Sequence, residues 1–270
     1  MRNIKLTLAY DGTDFHGWQA QPGQPTIQGT LTDVAEKLTQ RRLTIHAAGR
    51  TDAGVHATGQ VAHFKTQSAL TAGEFQRAFN ALLPPSIRVA GAEEVGPDFH
   101  SRWSALAKVY RYRIFRRRVV PPFLWRYVQH DPYALDFEAM AEAARRFEGE
   151  HDFTSFAAST GSEDDDRERT TTRVIYQSEF ARVVSDQDEM AAEEWVYRVR
   201  GRSFLRYMVR KIVGTLVEVG RGRLTPEDVP KLFEMRDRSK SGPTMPPRGL
   251  CLVSVEYPDP ANSLQKMNMA

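Results

Sequence analysis

The chain has 270 residues, 41% of them hydrophobic and 26% charged, with a net charge of +3 and a pI near 9.0. That composition suits a soluble globular chain, enough for one large domain or two medium ones. A single cysteine, Cys251, excludes a disulfide framework and any multi-cysteine zinc site. No apolar run reaches the ~20 residues that span a bilayer, and the opening residues show no leader pattern, so a cytoplasmic protein is expected.

The first segment, Ile4 to Tyr10, alternates like a strand and closes on the turn signal Asp11-Gly12. Thr26 can cap a helix whose apolar positions Ile27, Leu31, Val34, Ala35 and Leu38 share one side. Gln60 to Lys65 reads as a strand, Thr71 to Glu74 as a capping box ahead of a helix, and Ile87 to Val95 as another strand. "KVYRYRIF" is a strand, and Asp136 to Phe147 a helix with Met140, Ala143, Ala144 and Phe147 inward. "TRVIYQSEF" and "EWVYRVRG" form two strands of a hairpin or meander. Ser203 to Val219 is a helix, Thr225-Pro226 starts another in the favoured cap-then-proline order, and "LCLVSVEY" is the last strand, with Cys251 as a small core residue.

Amphipathic strands alternating with helices predict an α+β fold with antiparallel sheet. The layout of the first half recurs in the second. It suggests an N-terminal subdomain over 1–105, a C-terminal one over 106–258 and a tail over 259–270. The acidic run "SEDDDRER", residues 162–169, reads as a solvated loop lying away from any basic cleft.

Charge is concentrated. From Arg102 to Arg118 there are seven basic residues and no acid; from Arg198 to Arg223 there are eight against one, Glu218. Such segments serve equally as a solvated basic face or as the footprint of a polyanion. Motifs for nucleotide cofactors, zinc hydrolases and serine hydrolases are absent: no G-x-G-x-x-G after a strand, no Walker loop, no H-E-x-x-H and no G-x-S-x-G.

What remains is a carboxylate, arginines and aromatics. Asp52 lies in "AAGRTDAGVHATGQ", where Gly49, Gly54 and Gly59 permit unusual dihedrals. It can fix the turn through its own backbone or serve chemically, while Thr51 and His56 read as structural. In "KVYRYRIF" Tyr110, Tyr112 and Ile114 share one face and Arg111 and Arg113 the other. That pattern fits stacking on bases beside neutralised phosphates, or tyrosines completing a core. Arg210 sits among Val209, Ile212 and Val213, where an arginine needs a carboxylate partner, either Asp52 or an acid such as Glu218.

Taken in order, "LAYDGTDFHGWQAQPGQPTIQGTL", "GRTDAGVHATGQVAHF", "KVYRYRIF", "FEGEHDFTSF", "FLRYMVRKIVGTLVEVG" and "PPRGL" resemble the successive motifs of the tRNA pseudouridine synthase A (TruA) family, over roughly residues 4–258. The resemblance implies two RRM/ferredoxin-like subdomains sharing an antiparallel β-sheet, with helices packed on one side and a basic active-site cleft, usually as a homodimer. It implies isomerisation of uridine to pseudouridine at positions 38, 39 and 40 of the tRNA anticodon stem-loop, by base flipping, without metal or organic cofactor. By the same resemblance Asp52 is the nucleophile and Arg210 the basic residue paired with it. Tyr110 stacks on the target uracil, and Arg50 helps extrude the base. The rival classes are a non-catalytic tandem RRM-like RNA-binding protein and a tRNA methyltransferase. The latter would need a methyl-donor site that the sequence does not offer.

Overall fold

The computed structural model describes residues 1–158, 170–184 and 193–258; the acidic run 162–169 and the tail 259–270 lie outside them. In chain order the elements are β1 (Arg2–Tyr10), α1 (Ile27–Thr39), β2 (His46–Ala47), β3 (His56–Thr66), α2 (Ala72–Leu82), β4 (Ile87–Val95), β5 (Ala107–Phe115), β6 (Gln129–His130), α3 (Phe137–Arg145), β7 (Gly149–Asp152), β8 (Thr172–Val184), β9 (Glu193–Gly201), α4 (Met208–Gly220), α5 (Asp228–Met235) and β10 (Leu250–Glu256). The fold is mixed α+β. It divides into one unit of Met1–Lys108 together with the chain from Leu252 on, and a second of Val109–Cys251.

In the first unit β1 lies between β4 and β3, antiparallel to both, and β2 pairs with β3. The alternation in β1 puts Ile4, Leu6, Leu8 and Tyr10 into the core. Helix starts follow local chemistry: the Thr26 hydroxyl accepts from Gly29 N–H, and Thr71 and Glu74 form the reciprocal capping box. The core beneath is aromatic. Phe64, Phe75 and Phe79 are fully buried, the first two edge-to-face at 5.3 Å, each contributing roughly 2–3 kcal/mol by burial.

At one edge of this unit His46, His63 and His100 gather, with ring centroids 4.6 to 5.3 Å apart. His63 is buried, and its Nδ1 lies 3.0 Å from the Ser101 hydroxyl. Burial first, then the neighbouring His100, His46 and Lys65, push its pKa down to about 4. The folded state therefore holds His63 neutral, whereas the unfolded chain protonates it near ~6.5. The stabilisation from the neutral ring is complete above ~6.5 and is lost as pH falls from there toward 4. Urea unfolding at pH 7.5 and 4.5 should show His63→Gln losing less stability on acidification than the wild type, by up to ~3 kcal/mol. Equal losses in the two proteins would refute the neutral buried ring.

The second unit has the sheet order β5-β9-β8-β7, with the short β6 parallel to β5. The β8–β9 pair is the antiparallel neighbour pair that the sequence predicts. The apolar sides of α4 bury Met208, Val209, Ile212, Val213, Leu216, Val217 and Val219. This helix begins five residues later than its pattern suggests, because Tyr207 holds a left-handed backbone (φ 63°) that cannot continue a helical turn. Arg206 consequently precedes the helix. Likewise α5 begins at Asp228, whose carboxylate accepts from Thr225 N–H at 2.9 Å. Phe147, Phe153, Phe156 and Phe233 make this unit's aromatic centre.

Candidate active site

The Asp52 loop connects β2 to β3 and is braced from the segment after β1. Trp18 N–H donates to the Thr51 carbonyl at 3.0 Å, Gly54 N–H to the Phe15 carbonyl at 3.2 Å, and Val55 N–H to the Asp52 carbonyl at 3.1 Å, closing a turn. The Tyr10 and Thr51 hydroxyls meet at 2.9 Å in the interior, and Gln60 Nε2 donates to the Gly49 carbonyl at 2.8 Å. Asp52 is thus half-buried on a loop fixed through its backbone, with Arg50 exposed two residues earlier.

Of the three glycines expected to supply unusual dihedrals, Gly54 alone does so (φ 76°). Gly59 instead provides clearance, since a Cβ there would lie 2.3 Å from the Val253 carbonyl oxygen. Sequence reading missed Gly12, where a Cβ would lie 2.0 Å from the Val55 carbonyl oxygen. The repeated glycines of "YDGTDFHGW" carry that signal, but only a long-range contact gives it meaning. His56 is structural, as expected: its Nδ1 receives Gly12 N–H at 3.2 Å and sits 3.2 Å from the Asp11 carboxylate.

The other two sequence-derived residues lie in the second unit. Tyr110, on β5, is 7% exposed and edge-on to Phe204 at 5.0 Å. Tyr112, on the same face, is a core residue. It is fully buried, its hydroxyl donates to the Pro246 carbonyl at 2.8 Å, and burial raises its pKa against the opposing pull of Arg210 and Arg248. Periodicity alone did not separate the two tyrosines.

Arg210, in the first turn of α4, donates from Nε to the Met245 carbonyl at 2.6 Å, and its guanidinium lies over the Tyr207 ring, 4.9 Å from the centroid. Glu218, the rival partner considered for Arg210, is paired with Arg221 at 3.0 Å and Arg223 at 2.9 Å. The chain around Met245 is strapped to the same helix. Buried Lys211 donates to the Arg238 carbonyl at 2.9 Å, and Thr215 Oγ1 accepts from Gly242 N–H at 2.9 Å. Burial lowers the Lys211 pKa, with Arg238 adding to the effect.

The basic segments are partly consumed inside the second unit. Arg113 makes a two-pronged pair with Glu194 at 2.6 and 2.5 Å. Arg116 stacks on Trp195 and bonds Asp131, which also takes Arg221 at 3.0 Å. Arg117, Arg118, Arg198, Arg202 and Arg206 stay exposed, so the outward positive charge is smaller than the residue count implies. Among the described residues no group of three or more His, Cys, Asp or Glu is placed to hold a metal ion. None of their helices is long and apolar enough to cross a membrane.

Comparison with known proteins gives the class first: a family model described as tRNA pseudouridine synthase matches residues 7–104 and 143–258. The chain belongs to the tRNA pseudouridine synthase family, enzymes that isomerise uridine to pseudouridine. Within it, the chain is 48% identical over 257 residues to a protein of Solibacter usitatus named tRNA pseudouridine synthase A, covering 95% of this chain and 100% of that one. A protein of the same name from Caldicellulosiruptor saccharolyticus is 42% identical, with the same two coverages. Desulfotalea psychrophila has one named tRNA pseudouridine synthase A 1, 41% identical over 259 residues.

Proposed function

We propose that the chain isomerises uridines 38, 39 and 40 of the tRNA anticodon stem-loop in the cytoplasm, flipping each target out of the stack and attacking it with Asp52. The observation that carries the reading is the braced loop. It presents one carboxylate, half-buried, from a backbone fixed at Gly49, Thr51, Asp52 and Gly54. A deprotonated carboxylate is a competent nucleophile toward uracil C6 or ribose C1′. The C1′–N1 bond then breaks, C1′–C5 forms, the C5 hydrogen leaves to water and N1 takes up a proton. No hydrolytic water and no second acid are required, so a single aspartate suffices.

In this reading Arg210 pairs with Asp52 and keeps it ionised, and Arg50, exposed beside it, holds the backbone of the extruded nucleotide. Tyr110 is enclosed, so it forms a pocket wall for the uracil more than an open platform. Flipping costs a few kcal/mol, of which stacking on an aromatic side chain returns ~1–3. The exposed arginines follow the tRNA backbone by shape and charge. Two RRM-like subdomains complete the reading. The connectivity β1-α1-β2-β3-α2-β4 of the first unit, with β1 between β4 and β3 and β2 paired to β3, supports this part of the reading.

The test is release of tritium from C5-labelled uridine in unmodified tRNA transcripts carrying uridine at 38, 39 or 40 singly. Release from these and not from a transcript with cytidine at all three supports the assignment. Tight binding with no release from any transcript would favour the non-catalytic RNA-binding reading.

A homodimer belongs to the same proposal. Val119, Phe123, Trp125 and Tyr133 of the second unit are between 55% and 80% exposed, and a second copy of the chain is the occupant proposed for this apolar surface. Trp125→Glu should move the sedimenting species from dimer to monomer at micromolar concentration with little change in Tm. A variant that stays dimeric would place the interface elsewhere.

A further inference from the structure

Tyr207 is the residue from which α4 starts, and its left-handed backbone (φ 63°) is a conformation that glycine or asparagine adopts far more readily. A bulky aromatic side chain held there needs a reason beyond helix initiation. The helix gains nothing from it as a cap, since the side chain makes no capping hydrogen bond. Strained positions of this kind cluster where a side chain must be aimed.

The ring is aimed at guanidinium groups. Arg210 Cζ lies 4.9 Å from its centroid, and Arg206 Cζ lies 4.9 Å from it as well, with Arg206 Nη2 3.3 Å from the Tyr207 hydroxyl. On its Nε edge, Arg210 is held by the Met245 carbonyl, and Met245 N–H returns a 3.3 Å bond to the Arg210 carbonyl. A guanidinium that lies over an aromatic ring and is held at Nε by a carbonyl has little rotational freedom left, so the direction of its terminal N–H groups is restricted.

We propose that Tyr207 is a positioning residue that fixes the guanidinium plane of Arg210, so that its terminal donors meet the nucleophilic carboxylate in one orientation. The inference rests on the pairing of Arg210 with Asp52 put forward above. Tyr207 itself touches no reacting atom. Its effect falls on the chemical step, because a misoriented donor pair leaves the carboxylate ionised but turned away from the line of attack.

The conformation at Tyr207 supplies a test that structural damage cannot imitate. Tyr207→Gly removes the ring and at the same time relieves the left-handed backbone. In the full-length protein its Tm should equal or exceed the wild-type value and tRNA Kd should change less than about twofold. The single-turnover rate of tritium release should fall ~10–100-fold. Tyr207→Asn, which also tolerates this backbone, should behave alike. Tyr207→Phe, which keeps the ring face, should recover the rate to within about threefold.

A wild-type rate in both Tyr207→Gly and Tyr207→Asn overturns the proposal. So does a raised Kd with an unchanged saturating rate, which would make the ring a substrate contact. Arg210→Ala separates the two levels: if it turns over normally, the Arg210–Asp52 pairing fails and this inference with it. If Arg210→Ala is inactive while Tyr207→Gly is not, only the positioning role is lost.

Discussion

Asp52→Asn should lower single-turnover pseudouridine formation by at least ~10³-fold while tRNA binds as before. The substitution preserves shape and leaves the loop's supports in place, because they are backbone bonds: Asp52 holds the turn through its carbonyl, which accepts from Val55 N–H at 3.1 Å. In the proposed mechanism what disappears is the anionic nucleophile, and a neutral amide cannot form the covalent intermediate that divides the reaction into two accessible steps. Losses on removing a nucleophile are commonly ~10⁴-fold or more where the remaining site still binds its substrate. In the same proposal affinity rests on exposed arginines and should be insensitive to one neutral replacement. The measurement is tritium release beside tRNA binding, both at the same salt concentration. An Asp52→Asn protein with near wild-type turnover would remove Asp52 from the chemistry and leave it as a turn residue.

Gly214→Ala has the largest expected effect on stability. A Cβ at Gly214 would lie 1.8 Å from the Pro243 carbonyl oxygen, and one at Gly242 would lie 2.4 Å from the Gly214 carbonyl carbon. Two backbones therefore touch, with no flexible side chain to give way. Overpacking between such surfaces costs roughly 3 kcal/mol, which in a chain of this size lowers Tm by ~6–12 °C. Helix propensity alone predicts the opposite sign, a gain near ~1 kcal/mol for Ala over Gly, so thermal denaturation decides between a clamped helix and a free one. Turnover should fall too, because the displaced segment carries the carbonyl that holds Arg210 at Nε. An unchanged or raised Tm would mean that residues 242–245 do not bear on α4.

What could be read from the sequence was local. Thr26, the Thr71–Glu74 box, the alternation of β1 and the apolar sides of α4 each follow from neighbours within a turn or two, and each appears where expected. The start of α4 was misplaced because nothing in "SFLRYM" announces a left-handed tyrosine. The Asp52 motif was conspicuous in sequence, but its bracing from residues 12–18 depends on contacts between residues some forty apart, roughly the span from Gly12 to Val55. Arg113 and Arg116 looked like surface charge because Glu194 and Asp131, which neutralise them, are remote or follow an irregular loop. Alternation put Tyr110 and Tyr112 on one face, and it carries no information about which ring finds a carbonyl such as that of Pro246.

The first unit is discontinuous in the chain, and that has a consequence for synthesis. Its sheet places β10 beside β3, yet the chain leaves this unit at Lys108 and re-enters it only at Leu252. At ~5–20 residues per second, roughly 7–30 s pass on the ribosome between those points. For that interval the nascent β3 lacks a strand that will cover part of its backbone, including the clearance at Gly59 into which the Val253 carbonyl fits. An open strand edge attracts wrong partners, so the finished arrangement behind the Asp52 loop depends on a segment that emerges after the whole of the second unit. A message truncated before Leu252 thus yields a protein whose Asp52 loop rests on an unfinished sheet.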